Sequence, residues 1–276
     1  MRPVLFVAGV LAAVLMPAVA RGTTTNIMHL GDSITYGRPV GELDTPGLGN
    51  TTGTYGYRVE FQEQFIDAGF PIDGVSIGLS GNKMDGPQYL TNGVSPFDPV
   101  HQGTSGDKIF DVFNDIDNGT ISLAVVDIVV LHIGTNDITS GAESQVTDAL
   151  DDLDDLVELI FTENPDVHLV LAQIIPRVGT GQANWLRTTQ YSDQIPDIAA
   201  VANHAGQITL VDMDAAFGSP QFEDFAFFTD DVHPNLAGYQ IIGEQFAGAV
   251  LGLITPEPTT ILLLGLGSLA LLRRRR

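Results

Sequence analysis

A serine, a histidine and an aspartate occur in short polar segments that could supply a nucleophile, a base and an orienting carboxylate. Ser33 lies in the segment 31–37, directly after the apolar run 26–30. A serine placed where a buried strand ends in a glycine-flanked turn is lifted clear of the sheet, so that its hydroxyl can reach a substrate. We predict that Ser33 is a nucleophile, although serine next to glycine also occurs in ordinary turns.

A histidine and two aspartates precede the last helical pattern of the chain. Asp230, Asp231 and His233 lie in one polar segment, directly before a predicted helix at 236–251. A neutral histidine activates a serine hydroxyl by taking its proton, and a carboxylate stabilises the imidazolium that forms. We predict that Asp230 is the partner of His233, because successive side chains on an extended segment point in opposite directions and Asp231 would face away. Taken alone, His233 could equally be a surface histidine beside the helix.

Apolar runs and helical patterns alternate along the chain and would position these residues. The predicted strands are 26–30, 72–77, 127–133, 168–175 and 208–213, and the predicted helices are 56–68, 107–116, 144–161, 183–205 with an interruption at Pro196, and 236–251. This alternation predicts an α/β three-layer sandwich with a mostly parallel five-stranded sheet. Ligands bind beyond the carboxyl ends of such strands, where Ser33 and Asn136 fall. We interpret 38–54 as a loop that could line a substrate mouth and 78–103 as an irregular excursion.

The composition excludes several classes of protein. With 276 residues and 44% hydrophobic content, the chain can bury one sizeable core. The formal net charge of −22 argues against binding to nucleic acid, which requires a basic surface. The sequence contains no cysteine, so disulfides, thiolate catalysis and cysteine-ligated metals are excluded.

The amino-terminal residues are typical of an export signal. Arg2 is followed by the apolar run 4–15 and by the small-residue site 18–20. A charged start, a hydrophobic middle and a small-x-small site indicate a signal peptide over residues 1–20. We therefore expect the folded domain to span residues 21–254.

The polar segments together resemble the SGNH, or GDSL-type, hydrolases, in which four separated blocks supply Ser, Gly, Asn and His. Ser33 lies in GDSITYG, Asn136 in GTND, and Asp230 and His233 in a DxxHP segment, in the order of the family. The resemblance spans about residues 26–250. It implies the flavodoxin-like SGNH fold and catalytic Ser33, Asp230 and His233, with no metal or other cofactor.

The resemblance also implies an oxyanion hole made by the backbone N–H groups of Ser33 and a glycine and by the amide of Asn136. Such donors stabilise the negative charge of a tetrahedral acyl intermediate. Two glycines fit, Gly81 after the second predicted strand and Gly106 in HQGTSGDKI, which is similar to the HxGxxGxxI pattern of carbohydrate-esterase members. We select Gly106, because it would open a helix whose N-terminal amides suit an anion.

The carboxyl-terminal residues 255–276 resemble a PEP-CTERM sorting tail. Pro256-Glu257-Pro258 leads into the apolar segment 259–272 and then into four arginines. The segment would rise about 21 Å as a helix, which is short of a hydrocarbon core of roughly 30 Å, so membrane association through the tail would be transient. The resemblance implies an exosortase-like processing enzyme as partner, and location in the periplasm, at the cell surface or in the extracellular matrix of a Gram-negative bacterium.

The resemblance implies an exported serine ester hydrolase that removes acetyl groups from polysaccharide, with acylated polysaccharide or a small ester as substrate. A lipid or aryl esterase and a non-catalytic glycan-binding surface protein on the same scaffold are the alternatives. Among the remaining polar residues we expect His132 to be a core histidine, and Asp32 and Asp137 to brace loops. Three aromatic residues could stack on a sugar ring; these are Tyr55, Tyr89 and Trp185.

Overall fold

The structure, a computed structural model, describes most of the chain between residues 24 and 255. The described residues are 24–37, 56–70, 72, 77–84, 90–91, 93, 95–179, 181–201, 203–219 and 224–255. The predicted signal peptide at 1–20, the predicted loop at 38–54 and the tail from residue 256 onwards lie outside them, as do Tyr55 and Tyr89.

Strands and helices alternate along the described chain, as the sequence predicts. The strands are β1 (Thr25–Gly31), β2 (Ile77–Ser80), β3 (Lys83–Met84), β4 (Val100–Gly103), β5 (Ile128–His132), β6 (His168–Ala172) and β7 (Ile208–Val211). The helices are α1 (Ser33–Tyr36), α2 (Arg58–Asp67), α3 (Ile109–Asp117), α4 (Glu143–Glu163), α5 (Gln182–Val201), α6 (Met213–Ala216) and α7 (Leu236–Ile254). Within the described residues, no helix is long and apolar enough to cross a lipid bilayer.

The strands form one mostly parallel sheet in the order β3-β4-β1-β5-β6-β7, and β2 pairs with the first half of β1. Only the pair of β3 and β4 is antiparallel among these pairs. Gly31 at the end of β1 lies opposite both His132 of β5 and Gly103 of β4. Three strands therefore end at the same level, and the loops that follow them are neighbours.

Helices cover both faces of the sheet. Successive side chains on a strand point to opposite faces, and the side chains of β1, β5 and β6 accordingly divide between two buried clusters. Leu30 and Leu131 belong to the cluster under α3, α4 and α5, whereas Ile27 and Val130 belong to the cluster under α2, α6 and α7. The predicted three-layer α/β fold is confirmed.

The sheet has seven strands within the described residues, rather than the five predicted. The second strand is Ile77–Ser80 instead of 72–77, and Ile72 forms only an isolated bridge with Ile77. A glycine weakens a strand considered in isolation, so local propensity does not indicate a strand through Gly78. In the structure Gly78 pairs with Asn26 of β1, so that a long-range contact places this glycine inside the sheet.

The described residues of the segment 78–103 belong to the packed domain, contrary to the predicted irregular excursion. It contains β3 and β4, and its Leu90 and Phe97 side chains are buried with Val59 of α2 in a small cluster. The prediction failed because these apolar residues are scattered among glycines and prolines and follow no helical or strand period.

Helix α5 continues through Pro196, where the sequence predicted an interruption. A proline removes one backbone hydrogen bond from a helix. Ile195 and Ala199, on either side of it, are both buried in the core. Tertiary packing therefore holds both halves of the helix in line, which local propensity alone would not predict.

Candidate active site

The turn after β1 holds Ser33 at the carboxyl edge of the sheet. A Cβ at Gly31 would lie 2.2 Å from the carbonyl oxygen of His132, so a residue without a side chain is required there. Asp32 caps α1 by accepting a hydrogen bond from the N–H of Ile34 at 2.9 Å. Ser33 is 5% exposed, and its hydroxyl is fixed where the strand meets the helix.

Arg58, which is fully buried, braces this turn. Its Nε and Nη2 atoms donate to the carbonyl oxygens of Thr35 and Tyr36 at 3.1 and 3.0 Å, and Nη1 donates to that of Pro99 at 3.1 Å. The carbonyls of α1 need such external donors because a short helix leaves them without partners. Sequence reasoning missed this role, because α2 also carries several acidic and polar residues and nothing in its pattern marks Arg58 as buried.

His233 lies directly against Ser33. Its Nε2 is 3.0 Å from the Oγ of Ser33, and its Nδ1 is 2.9 Å from Oδ2 of Asp230. In this arrangement the imidazole can take the hydroxyl proton while the carboxylate orients the ring. The fold thus brings together two residues that are 200 positions apart in the chain.

The backbone of residues 230–233, the histidine loop, fixes Asp230 in place. Its Oδ1 accepts hydrogen bonds from the N–H groups of Val232 at 2.9 Å and His233 at 2.7 Å. Burial acts to raise the pKa of Asp230, but these donors and the imidazole outweigh it and hold the pKa below its ordinary value. Asp231, the competing partner in the sequence, faces Arg177 instead, at 3.8 Å.

Asn136 lies in the turn after β5, and its side chain binds the segment before α3. Its Nδ2 donates to the carbonyl oxygen of Asp107 at 2.9 Å. A side-chain amide has two N–H donors, so a second hydrogen is left for another acceptor. The carboxylate of Asp137 accepts a hydrogen bond from the N–H of Ile109 at 3.3 Å and braces the loop, as predicted.

Gly81, one of the two glycines considered for the oxyanion hole, lies beside the middle of β1 rather than level with the turn that holds Ser33. It follows Ser80, which pairs with Met28 in the middle of β1. A Cβ at Gly81 would lie 2.3 Å from the carbonyl oxygen of His101. The close approach of two backbones explains this glycine without a catalytic role.

Gly106 lies beyond the carboxyl end of β4, in a turn with a φ of +90°. Shortly before it, the N–H of Thr104 donates to the carbonyl oxygen of Gly31 at 2.9 Å. Directly after it, Asp107 accepts the hydrogen bond from Asn136. Gly106 is therefore held between the turns that follow β1 and β5, which favours it over Gly81 as the third donor.

Helix α3 begins later than the sequence predicted, at Ile109 rather than at residue 107. Gly106 thus precedes the helix instead of opening it, and the N–H of Ile109 is already bound to Asp137. The helix N-terminus was the reason for selecting Gly106 from the sequence, and this reason is wrong. The position of Gly106 between the turns after β1 and β5 is what favours it as an oxyanion donor.

Two other histidines near the site are core residues. Nε2 of His132 accepts a hydrogen bond from the N–H of Ile175 at 3.1 Å, and burial lowers the pKa of His132 to about 4. Nδ1 of His101 accepts from the N–H of Gly103 at 3.0 Å, and burial together with the charge of Arg58 lowers the pKa of His101 to about 3. Both rings are neutral at pH 7 and support the sheet, as predicted for His132.

The remaining candidates from the sequence lie on α4 and α5. Trp185 is half-buried in the first turn of α5, and its neighbour Asn184 donates to the carbonyl oxygen of Thr139 at 3.1 Å, in the loop after β5. The acidic run 151–155 on α4 is mostly exposed and forms a solvated face. No cluster of three or more potential metal ligands occurs in the part of the chain that the structure describes.

Asp32, next to Ser33, is expected to make stability depend on pH. Burial raises the pKa of Asp32 from 3.8 to about 7. In the unfolded chain this carboxyl ionises near pH 4, so between about pH 4 and 7 unfolding releases a proton and stability falls as the pH rises. We predict that the free energy of unfolding of the wild type, relative to Asp32→Asn, decreases by up to about 4 kcal/mol over this range and is constant above it.

Urea unfolding of both proteins at a series of pH values measures this difference. The amide of Asp32→Asn keeps an oxygen that can accept the hydrogen bond from Ile34, so the cap is retained. A difference between the two proteins that does not change between pH 4 and 7 would contradict the prediction.

Two sequence families match the chain. The GDSL-like lipase/acylhydrolase family matches residues 29–241, which include Ser33, Gly106, Asn136 and the histidine loop. The PEP-CTERM protein-sorting motif matches residues 255–276. This motif indicates an exported protein sorted to the cell surface in Gram-negative bacteria, and it implies processing by an exosortase.

The chain is similar to three esterases. A multidomain esterase of Ruminococcus flavefaciens is 27% identical over 255 residues, which is 86% of this chain and 30% of the relative, so the chain spans under a third of that protein. A carbohydrate esterase family 3 structure from Talaromyces cellulolyticus has a TM-score of 0.61 at 25% identity and covers 84% of this chain and 98% of its own. A family 3 carbohydrate esterase of Clostridium thermocellum has a TM-score of 0.57 at 26% identity, with coverages of 84% and 97%.

Proposed function

Because the chain belongs to the GDSL-like lipase/acylhydrolase family, a family of ester hydrolases, we propose that it is an exported serine esterase that removes acetyl groups from polysaccharide. The observation that carries the proposal is the line of contacts from Asp230 through His233 to Ser33, at 2.9 and 3.0 Å. A hydroxyl, an imidazole and a carboxylate in this order are the parts needed for acyl transfer through a covalent intermediate.

In the first half of the proposed reaction, Oγ of Ser33 attacks the ester carbonyl while Nε2 of His233 takes its proton. The negative charge that develops on the carbonyl oxygen is stabilised by the backbone N–H groups of Ser33 and Gly106 and by the side-chain amide of Asn136. Asp230 stabilises the imidazolium. The proton then passes from His233 to the sugar oxygen, which leaves as an alcohol, and the acyl group stays on Ser33.

In the second half, water replaces the sugar. His233 takes a proton from the water as it attacks the acyl carbon of the intermediate, and the same oxyanion donors stabilise the second tetrahedral species. Collapse of this species returns the proton to Ser33 and releases acetate. The residues named above supply every proton transfer in the cycle.

The carbohydrate part of the proposal rests on three observations. The family 3 carbohydrate esterases cover more than four fifths of this chain in the structural comparison. The segment around Gly106 carries the pattern that the sequence shares with carbohydrate-esterase members. The net charge of −22 would repel a polymer rich in uronic acids, which favours an uncharged polysaccharide.

We further propose that the two terminal segments direct the protein to the compartment of its substrate. Residues 1–20 would direct export, and 255–276 would hold the chain transiently at the membrane until an exosortase-like enzyme processes it. The four arginines at the end would stay on the cytoplasmic side, as the positive-inside rule expects. The processed domain, residues 21–254, would then act outside the inner membrane.

An acetate-release assay on the exported protein tests the proposed substrate. We expect acetate to be released from acetylated xylan, and we expect the kcat/KM for nitrophenyl esters to fall by about tenfold or more from acetyl to octanoyl, because an acyl pocket suited to acetate excludes longer chains. Nitrophenyl butyrate is the intermediate control. A preference for the octanoyl ester would instead indicate a lipid or aryl esterase, and glycan binding without cleavage of the nitrophenyl acetate would indicate a binding protein.

A further inference from the structure

Arg177, which follows β6, contacts both the turn of Asn136 and the histidine loop. Its Nη1 donates to the carbonyl oxygens of Ile138 at 2.6 Å and Thr135 at 3.4 Å, which lie on either side of Asn136. Its Nη2 faces Oδ2 of Asp231 at 3.8 Å. One guanidinium therefore joins the loop that carries the proposed oxyanion amide to the loop that carries the proposed base.

The guanidinium of Arg177 is largely enclosed, whereas the carboxylate of Asp231 that it faces is 39% exposed. The side chain of Arg177 is 13% exposed, and its Nε is buried. Burial lowers the pKa of Arg177, while the carboxylates of Asp231 and Asp230 act in the opposite direction. The next residue, Val178, donates its N–H to the carbonyl oxygen of Asp231 at 3.0 Å. The ion pair with Asp231 alone would restrict little. Together with the hydrogen bonds of the enclosed guanidinium to the turn of Asn136 and the backbone bond from Val178 to Asp231, it limits the relative movement of the two loops.

We propose that Arg177 is a positioning residue that fixes the amide of Asn136 relative to the imidazole of His233. The inference rests on the roles proposed above for these two residues. The oxyanion donor and the base must be in place at the same moment, and a displacement of about 1 Å can lower the rate by about 100-fold. Loss of the contacts of Arg177 with the two loops is therefore expected to lower kcat, with little effect on KM.

The test uses Arg177→Lys in the wild type and in an Asn136→Ala background. Lysine keeps a positive charge opposite Asp231, but a flexible ammonium group cannot hold two carbonyl oxygens in the fixed geometry of a guanidinium. If Arg177 acts by positioning the amide of Asn136, its replacement should matter much less when that amide is already absent. A double-mutant cycle separates this case from a general loss of structure.

Arg187→Lys is the matched control. Arg187 also donates to a carbonyl oxygen of the loop after β5, that of Gly141 at 3.2 Å. Its other contact is Gln190 on its own helix. The control therefore makes the same chemical change beside the same loop without altering a contact to the histidine loop.

For nitrophenyl acetate we expect Arg177→Lys to lower kcat by about 30-fold or more with KM within about threefold, and Arg187→Lys to change kcat by less than about threefold. In the Asn136→Ala background, Arg177→Lys should lower kcat by less than about fivefold. Asp231→Asn, which removes the charge that faces Arg177 from the histidine loop, should show the same pattern with a smaller fall in kcat. Thermal unfolding of each variant confirms that it is folded at the assay temperature.

Equal losses of kcat for Arg177→Lys in both backgrounds would show that Arg177 acts only through general structure and would overturn the inference. A rise in KM with unchanged kcat would overturn it as well. Failure of the proposed function gives a different result from failure of the positioning role. If the wild type does not cleave nitrophenyl acetate, or if Ser33→Ala retains activity, both proposals are wrong. If the wild type is active, Ser33→Ala is inactive, and Arg177→Lys lowers kcat equally with and without Asn136→Ala, only the positioning role is rejected.

Discussion

Replacement of Ser33 by alanine is expected to lower kcat for ester hydrolysis by about 10⁴-fold or more. The change removes one atom, the Oγ that lies 3.0 Å from Nε2 of His233, and with it the covalent intermediate. The backbone N–H of residue 33 and the amide of Asn136 remain, and they can still stabilise the oxyanion of a direct attack by water. The residual rate should therefore stay above the uncatalysed rate.

Ser140→Ala is the control for this prediction. Ser140 is exposed in the loop after β5, and its Oγ contacts the side chain of Gln145 at 3.0 Å. We expect its kcat to change by less than about twofold, as for other surface substitutions. A fluorophosphonate probe should label Ser33 in the wild type and leave Ser33→Ala unlabelled, as measured by peptide mass spectrometry. Activity of Ser33→Ala near the wild-type level would remove Ser33 as the nucleophile and the proposed function with it.

Replacement of His233 by alanine is expected to cause a loss of similar size, about 10⁴-fold or more in kcat on acetylated sugar. Without the imidazole, the hydroxyl of Ser33 keeps its proton and the departing sugar oxygen receives none. The loss should be smaller for nitrophenyl acetate, because nitrophenolate is a stable leaving group that needs no proton. Added imidazole should restore part of the activity of His233→Ala and none of that of Ser33→Ala.

His168→Ala is the control for the histidine. His168 begins β6, at the opposite end of the sheet from the site, and its Nε2 contacts Oγ1 of Thr209 at 2.8 Å. We expect its kcat to stay within about threefold of the wild type. Equal losses for the two histidine variants, or no difference between the sugar and nitrophenyl substrates for His233→Ala, would contradict the proposed proton transfer.

Long segments with a strong period were predictable from the sequence. The apolar run that became β5 and the helical patterns that became α4 and α7 are found within a few residues of their predicted bounds. The prediction failed between residues 72 and 103, where glycines and prolines interrupt the pattern. The strands there are short, and their pairing with β1 and with each other supplies what local propensity lacks.

The proximity of Ser33 and Asn136 was predictable, because each follows a strand at the edge where parallel strands end. The family resemblance added Asp230 and His233 to the same site. The roles of Arg58 and Arg177 were not predictable. Both guanidinium groups bind backbone carbonyls of distant loops, and a carbonyl group carries no signature in the sequence.

By itself, the sequence determined which residues can do chemistry and that a parallel sheet would place them at its carboxyl edge. The sequence also favoured Asp230 over Asp231 and Gly106 over Gly81. Only the tertiary structure decided that Asp231 faces Arg177, and that Gly106 lies between the turns after β1 and β5 rather than at the start of a helix. The physical reason is the range of the interactions. Strand and helix patterns depend on residues a few positions apart, whereas register, loop contacts and the partners of buried charges depend on residues that meet only after the chain has folded.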